Sequence, residues 1–206
     1  MSRAIRAAIA ATALLAVIVQ YTTFLAGSDI GVFGTTIRYF SYFTILTNSL
    51  VAIGWGMQAF APASAPGRWF GRDSIRTAIA GYIVLVGVVY HLLLASIHHP
   101  EGVQWYANQL LHTVVPAAVF LEWLFGSAER NTRFVQAFAW QLYPMAYVAY
   151  TLIKGAVTGF YPYPFMDVNQ LGYVGVAQQQ VGLFIAFTLT SLAFVGLGKL
   201  QTRLMR

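Results

Sequence analysis

Cysteine is absent from the 206-residue chain, and only six residues are acidic. The missing thiols exclude a disulfide-stapled secreted domain and any thiolate metal centre. Charged residues make up 9% of the chain, whereas an ordinary soluble domain uses about 25%. A cytosolic globule and a disordered tail are excluded on that count. No Walker loop, dinucleotide fingerprint, HExxH pair or Gly-x-Ser-x-Gly elbow occurs, so soluble-cofactor chemistry is not expected. The net charge of +6 is not gathered into a basic patch, and no nucleic-acid partner is implied.

What is present in abundance is apolar length. Hydrophobic residues reach 58% and aromatic residues 16%. A membrane-spanning helix needs about 20 predominantly apolar residues. Six stretches qualify: Ala4–Ala26, Ile37–Phe60, Ile75–Ile97, Trp105–Phe125, Gln136–Val157 and Gln178–Lys199. Between them lie short segments, among them Ala61–Pro66 and the aromatic-proline loop Gly159–Gly172. The first stretch follows Arg3 and Arg6 but is longer than a signal-peptide core of about 7–15 residues, so it reads as a retained anchor. The expected fold is an all-α integral membrane protein, one six-helix bundle spanning residues 1–206. Alternating ten-residue segments of a closed barrel are missing.

Basic residues set the orientation. With the N-terminus inside, Arg3, Arg6, Arg68, Arg72, Arg76, Arg130, Arg133, Lys199, Arg203 and Arg206 fall on the cytoplasmic side. Only Arg38 and Lys154 fall outside. The positive-inside rule then predicts cytoplasmic N- and C-termini in a multi-pass protein of the cell (inner) membrane.

Ionisable groups at membrane depth cost a few kcal/mol each and invite a reason. His91, His112 and Glu122 lie inside the stretches, with Arg38 and Lys154 near their outer ends. The second and fourth stretches both run inward, and Thr44 and His112 each sit about seven residues from the outer end. At 1.5 Å per residue both lie roughly 10 Å deep, and His91 shares that layer. Ser41, Thr44 and Asn48 form an i, i+3, i+7 stripe, as do Trp105, Asn108 and His112. Tyr143, Tyr147, Tyr150 and Lys154 form a third stripe, suited to lining a tunnel. Interhelical hydrogen bonding and packing are the commoner account of Ser, Thr, Asn and Tyr stripes, whereas an intramembrane histidine such as His112 invites a functional reading. His91, His98, His99 and His112 share the outer half without ligand spacing, and no metal site is expected.

The segment Arg38-Tyr-Phe-Ser-Tyr-Phe-Thr-Ile-Leu-Thr-Asn48 resembles the second-span signature of the androgen-induced membrane hydrolases. Asn108-Gln-Leu-Leu-His-Thr-Val-Val-Pro116, followed by Glu122-Trp123, resembles that family's fourth-span histidine motif. Tyr161-Pro-Tyr-Pro-Phe-Met-Asp-Val168 is similar to a loop of bacterial relatives. The resemblance extends over nearly the whole chain in span number and length, while its specific motifs are confined to these segments. It implies a six-span hydrolase of fatty acid esters of hydroxy fatty acids, using a threonine and a histidine. By motif these fall on Thr44 and His112, with Thr47 one helical step away as a competitor.

A hydroxyl needs an adjacent base to become a nucleophile. His112 is expected to take the Thr44 proton and return it to the leaving alcohol. Asn48 and Asn108 are candidate oxyanion donors, and Arg38 and Lys154 candidate partners of a substrate carboxylate. His91 or a tyrosine of the fifth stretch is a candidate to orient His112; Glu122 lies about two turns too deep. The expected partners are a lipid ester and membrane lipids, with no cofactor. The alternative is a non-enzymatic lipid or small-molecule carrier, although no inverted repeat or matching pair of broken helices marks one. A scaffold is the third class, for which the short loops leave little surface.

Overall fold

A computed structural model describes residues 2–126 and 131–204; Arg130 and Arg206, counted above, lie outside them. Helices are the only regular structure among the described residues, with no strand. In order they form α1 (Arg3–Ala26), α2 (Gly31–Tyr39), α3 (Phe43–Phe60), α4 (Ala65–Phe70) and α5 (Asp73–Val89). Then follow α6 (Gly102–Gln109), α7 (Val115–Phe125), α8 (Phe134–Ala139), α9 (Leu142–Thr158) and α10 (Val168–Leu204). Widened π-turns extend α5 through Tyr90–Leu94 and join α6 to α7 through Leu110–Val114. Three helices are individually long and apolar enough to cross a membrane: Arg3–Ala26, Asp73–Leu94 and Val168–Leu204.

Two of the six apolar stretches are not continuous helices. The second breaks at Phe40–Tyr42, and its outer part belongs to α2, which begins at Gly31. The fifth breaks at Trp140–Gln141, between α8 and α9. The last is longer than expected: α10 begins at Val168, inside the expected loop, and bends at Gly172, whose φ of 66° favours glycine.

Packing follows residue size. Ala10, Ala13 and Ala16 are buried along α1, and such small side chains let it lie close against α3. The main core joins Val51, Trp55, Ile83, Val115, Val119 and Trp123. Large apolar side chains cover the outside, with Val157 83% and Phe60 79% exposed. A water-facing monomer rarely carries so much exposed apolar surface.

One end of the bundle holds a buried ion cluster. Glu122 is fully buried, with Nη2 of Arg76 2.8 Å from both carboxylate oxygens and Nε of Arg6 3.1 Å from Oε1. The acid is thus held between α1, α5 and α7, away from the histidines.

Candidate active site

Thr44 owes its position to the break in the second stretch. The chain leaves α2 at Tyr39 and restarts as α3 at Phe43, placing Thr44 in the first turn. First-turn N–H groups have no intrahelical acceptor. The Thr44 N–H donates instead to the Tyr163 hydroxyl, at 3.2 Å. The break also frees the Ser41 carbonyl, which accepts from the Tyr147 hydroxyl at 2.8 Å. Non-helical backbone inside an apolar bundle is tolerated where protein groups satisfy it in this way.

His112 sits in the π-turn between α6 and α7. Pro116, four residues on, has no N–H to offer the His112 carbonyl. Extra-wide turns of this kind recur at functional sites. The neighbouring α5 approaches so closely that a Cβ on Gly87 would lie 2.8 Å from the His112 carbonyl oxygen. Glycine is the residue that permits that contact.

These elements bring Thr44 Oγ1 to 3.3 Å from His112 Nε2. On the other side of the imidazole, Nδ1 lies 3.0 Å from the Asn108 carbonyl oxygen. A carbonyl only accepts, so Nδ1 carries the proton and Nε2 presents its lone pair to the Thr44 hydroxyl. The Tyr163 hydroxyl lies 3.3 Å from Thr44 Oγ1, and its own proton completes one directional chain. It runs Tyr163 O–H to Thr44 O–H to His112 Nε2, and His112 Nδ1–H to Asn108 C=O. The Tyr90 ring stacks on the imidazole, 3.9 Å between centroids at 20°, and fixes its plane.

The other expected residues fall differently. Asn48 is no oxyanion donor: its amide nitrogen donates to the Thr44 carbonyl at 2.9 Å and the Leu111 carbonyl at 3.3 Å. It clamps together the two backbone segments that carry Thr44 and His112. The Asn108 amide donates to the Tyr90 hydroxyl at 2.6 Å and so holds the ring that stacks on His112. His91 is exposed and bonds Thr113 at 3.0 Å, so it neither shapes the site nor orients His112. The Asn108 carbonyl performs that orientation. Thr47 bonds the Tyr143 hydroxyl at 3.2 Å, away from the histidine. Periodicity does not reveal the roles of Tyr90 and Asn108 O, because one acts through ring stacking and the other through backbone. Tyr163 was quoted above only within a loop motif, with no signal of its reach to Thr44.

Two cavities meet at this point. One, of about 410 Å³, is walled by apolar side chains including Phe43, Leu85, Val86, Val148, Leu183 and Phe187. The other, of about 280 Å³, carries more polar groups, including Gln20, His98, Gln104, Asn108 and His112. Thr44, Tyr90, Leu94 and Tyr163 belong to both walls. Of the tyrosine stripe, Tyr147 lines the larger cavity. Tyr143 instead packs between Phe43 and Tyr82, and Tyr150 is exposed. Arg38 and Lys154 line neither cavity: their charges lie 4.8 Å and 4.6 Å from the Phe160 ring centroid, and Lys154 Nζ donates to Ser41 Oγ at 2.5 Å. Among the described residues no three His, Asp or Glu side chains converge as metal ligands would.

No family model, curated protein or solved structure matches the chain.

Proposed function

We propose that the protein is an intramembrane ester hydrolase in which Thr44 is the nucleophile and His112 the general base. The observation that carries this reading is the Thr44 Oγ1–His112 Nε2 pair at 3.3 Å, with the tautomer fixed from behind by the Asn108 carbonyl. That separation is long for a hydrogen bond, as is common for a catalytic pair without substrate. As Thr44 Oγ1 bonds to the ester carbonyl carbon, its proton passes to Nε2 and the carbonyl π pair moves onto oxygen. Collapse breaks the bond to the alcohol oxygen, which leaves with the Nε2 proton. Water then repeats the sequence on the acyl-threonine and frees the acid.

The two cavities meeting at Thr44 suit an ester with two long arms, one on each side of the carbonyl. This agrees with the family resemblance, which implies fatty acid esters of hydroxy fatty acids. The apolar exterior and the six apolar stretches support a six-span bundle in the inner membrane, with both termini cytoplasmic by their basic residues. Terminal tags should then resist protease added outside intact cells. A carrier accounts for the cavities but leaves the aligned Thr–His–carbonyl relay without a role. The deciding experiment is hydrolysis of a branched fatty acid ester by the purified protein, with a lipid phosphonate probe labelling Thr44. Binding of the ester without turnover or labelling would favour the carrier.

A further inference from the structure

We infer that Tyr163 is a catalytic residue whose hydroxyl, together with the Thr44 backbone N–H, binds the oxyanion of the tetrahedral intermediate. This rests on the hydrolase reading and assigns donors in contact with Thr44 itself, whereas the amides of Asn48 and Asn108 bond backbone carbonyls and the Tyr90 hydroxyl. Hydrogen-bond donors aimed at a developing oxyanion are worth about a hundredfold or more in rate, so a working site must hold them.

Both donors already stand at the attacking oxygen. The Tyr163 hydroxyl is 3.3 Å from Thr44 Oγ1 and 3.2 Å from Thr44 N. In the resting state they satisfy each other, the N–H donating to the phenol oxygen and the phenol donating to Oγ1. When Oγ1 adds to the carbonyl carbon and the carbonyl oxygen turns negative, both can turn to that oxygen. The step needs no new group: the π pair moves to the carbonyl oxygen, the Thr44 proton goes to His112, and Tyr163 keeps its proton throughout.

The loop is built to hold this hydroxyl. Tyr163 lies between Pro162 and Pro164, whose rings fix the backbone, and its carbonyl accepts from Met166 N at 3.0 Å in the short turn Pro164–Met166. Its ring stacks on Phe165 at 5.0 Å and meets the edge of Tyr42 at 5.6 Å. Gln180 and Asn169 bond the carbonyls of Phe165 and Gly159, each at 3.1 Å. The Tyr161 ring packs so closely on Gly155 that a Cβ there would sit 2.0 Å from it. Burial pushes the Tyr163 phenol up to about 12, against the opposing pull of its Thr44 hydrogen bonds. It therefore remains a neutral donor at working pH. Its place in both cavity walls puts the donor where an ester carbonyl between two arms would lie.

The test uses the full-length protein in detergent, a fatty acid ester of a hydroxy fatty acid, its trifluoromethyl-ketone analogue and its ether analogue. The ketone forms an oxyanion on Thr44; the ether cannot. Tyr163→Phe should lower kcat by about a hundredfold and leave KM nearly unchanged. It should weaken the ketone by a similar factor and leave the ether's affinity unchanged, with a modest loss of melting temperature because the buried Thr44 N–H loses its acceptor. Wild-type kcat in Tyr163→Phe, or lost kcat with undiminished ketone affinity, overturns the assignment. So does equal loss of ketone and ether affinity, which marks a structural role. Difluorotyrosine at position 163 keeps ring and hydroxyl: it should retain the rate at neutral pH and move the alkaline limb of the profile to lower pH. An unmoved limb counts against Tyr163 even if Tyr163→Phe does not fold. Thr44→Ala separates the two levels, because unchanged turnover there removes the hydrolase reading itself.

Discussion

Two buried polar clusters lie in the same apolar bundle, and they are built on opposite plans. Around Glu122, two guanidinium groups close on one carboxylate at 2.8–3.1 Å. Neither cavity is walled by any of the three. Around Thr44, the contacts to His112 and Tyr163 are 3.2–3.3 Å, and both cavities open onto them. The first cluster spends its polar capacity on itself; the second keeps a lone pair, a hydroxyl proton and an N–H within reach of a guest. Charge alone points to Glu122, whereas looser contacts beside empty space point to Thr44, and the proposed function rests on the second.

Four measurements break or sharpen that contrast. The largest effect belongs to the open cluster: Thr44→Ala or His112→Ala should each lower turnover about a thousandfold or more with little loss of melting temperature. The double variant should lose little beyond either single change, because the pair acts as one unit. Thr44→Ser should keep part of the rate, since it retains the attacking oxygen. Full activity in folded His112→Ala refutes the relay.

The closed cluster should respond in the opposite sense. Arg76→Ala leaves a buried carboxylate short of a partner, and breaking such a pair destabilises by about 3–5 kcal/mol. Detergent-unfolding curves should show that loss, while the folded fraction turns over substrate at the wild-type rate. Asn48→Ala belongs to both categories. Loss of its amide leaves two buried carbonyls with one fewer donor each, at about 1–3 kcal/mol, and loosens the clamp between α3 and the His112 turn. Stability and kcat should fall together. Thr47→Ala should have the smallest effect, about 1 kcal/mol from the bond to Tyr143, with turnover close to wild type. A large loss of rate there would move the nucleophile one helical step.

Much of this was legible from residue order. Apolar run length gave helices in each of the six stretches, and expected depth put Thr44, His112 and His91 in one layer, from which the motif resemblance singled out the first two. What stayed hidden was hidden for identifiable reasons. The break at Phe40–Tyr42 is a serine between two aromatic residues, without Gly or Pro to announce it. Its cause is tertiary, since Tyr147 and Lys154 on α9 bond Ser41 there. The Asn108 carbonyl is backbone, which no side-chain pattern reveals. Asn48 and Asn108 were expected as oxyanion donors; their amides bond two carbonyls and a phenol, contacts that residue spacing does not show. Tyr163 arrives through a loop, whose path periodicity does not encode.

The π-turn at Leu110–Val114 has a consequence for chain length. A helix carrying one surplus residue in a turn is out of phase with a regular one by about 100°. Before the turn, Asn108 faces the buried site; after it, Val115, Val119 and Trp123 face the core with no exposure. The two halves keep separate angular settings, one for chemistry and one for packing, and the surplus residue is the offset between them. Deleting any one residue of Leu110–Val114 would remove the offset and swing one half away from its target. Within this segment the number of residues is as binding a specification as their identity, and side-chain substitution does not repair an error in it.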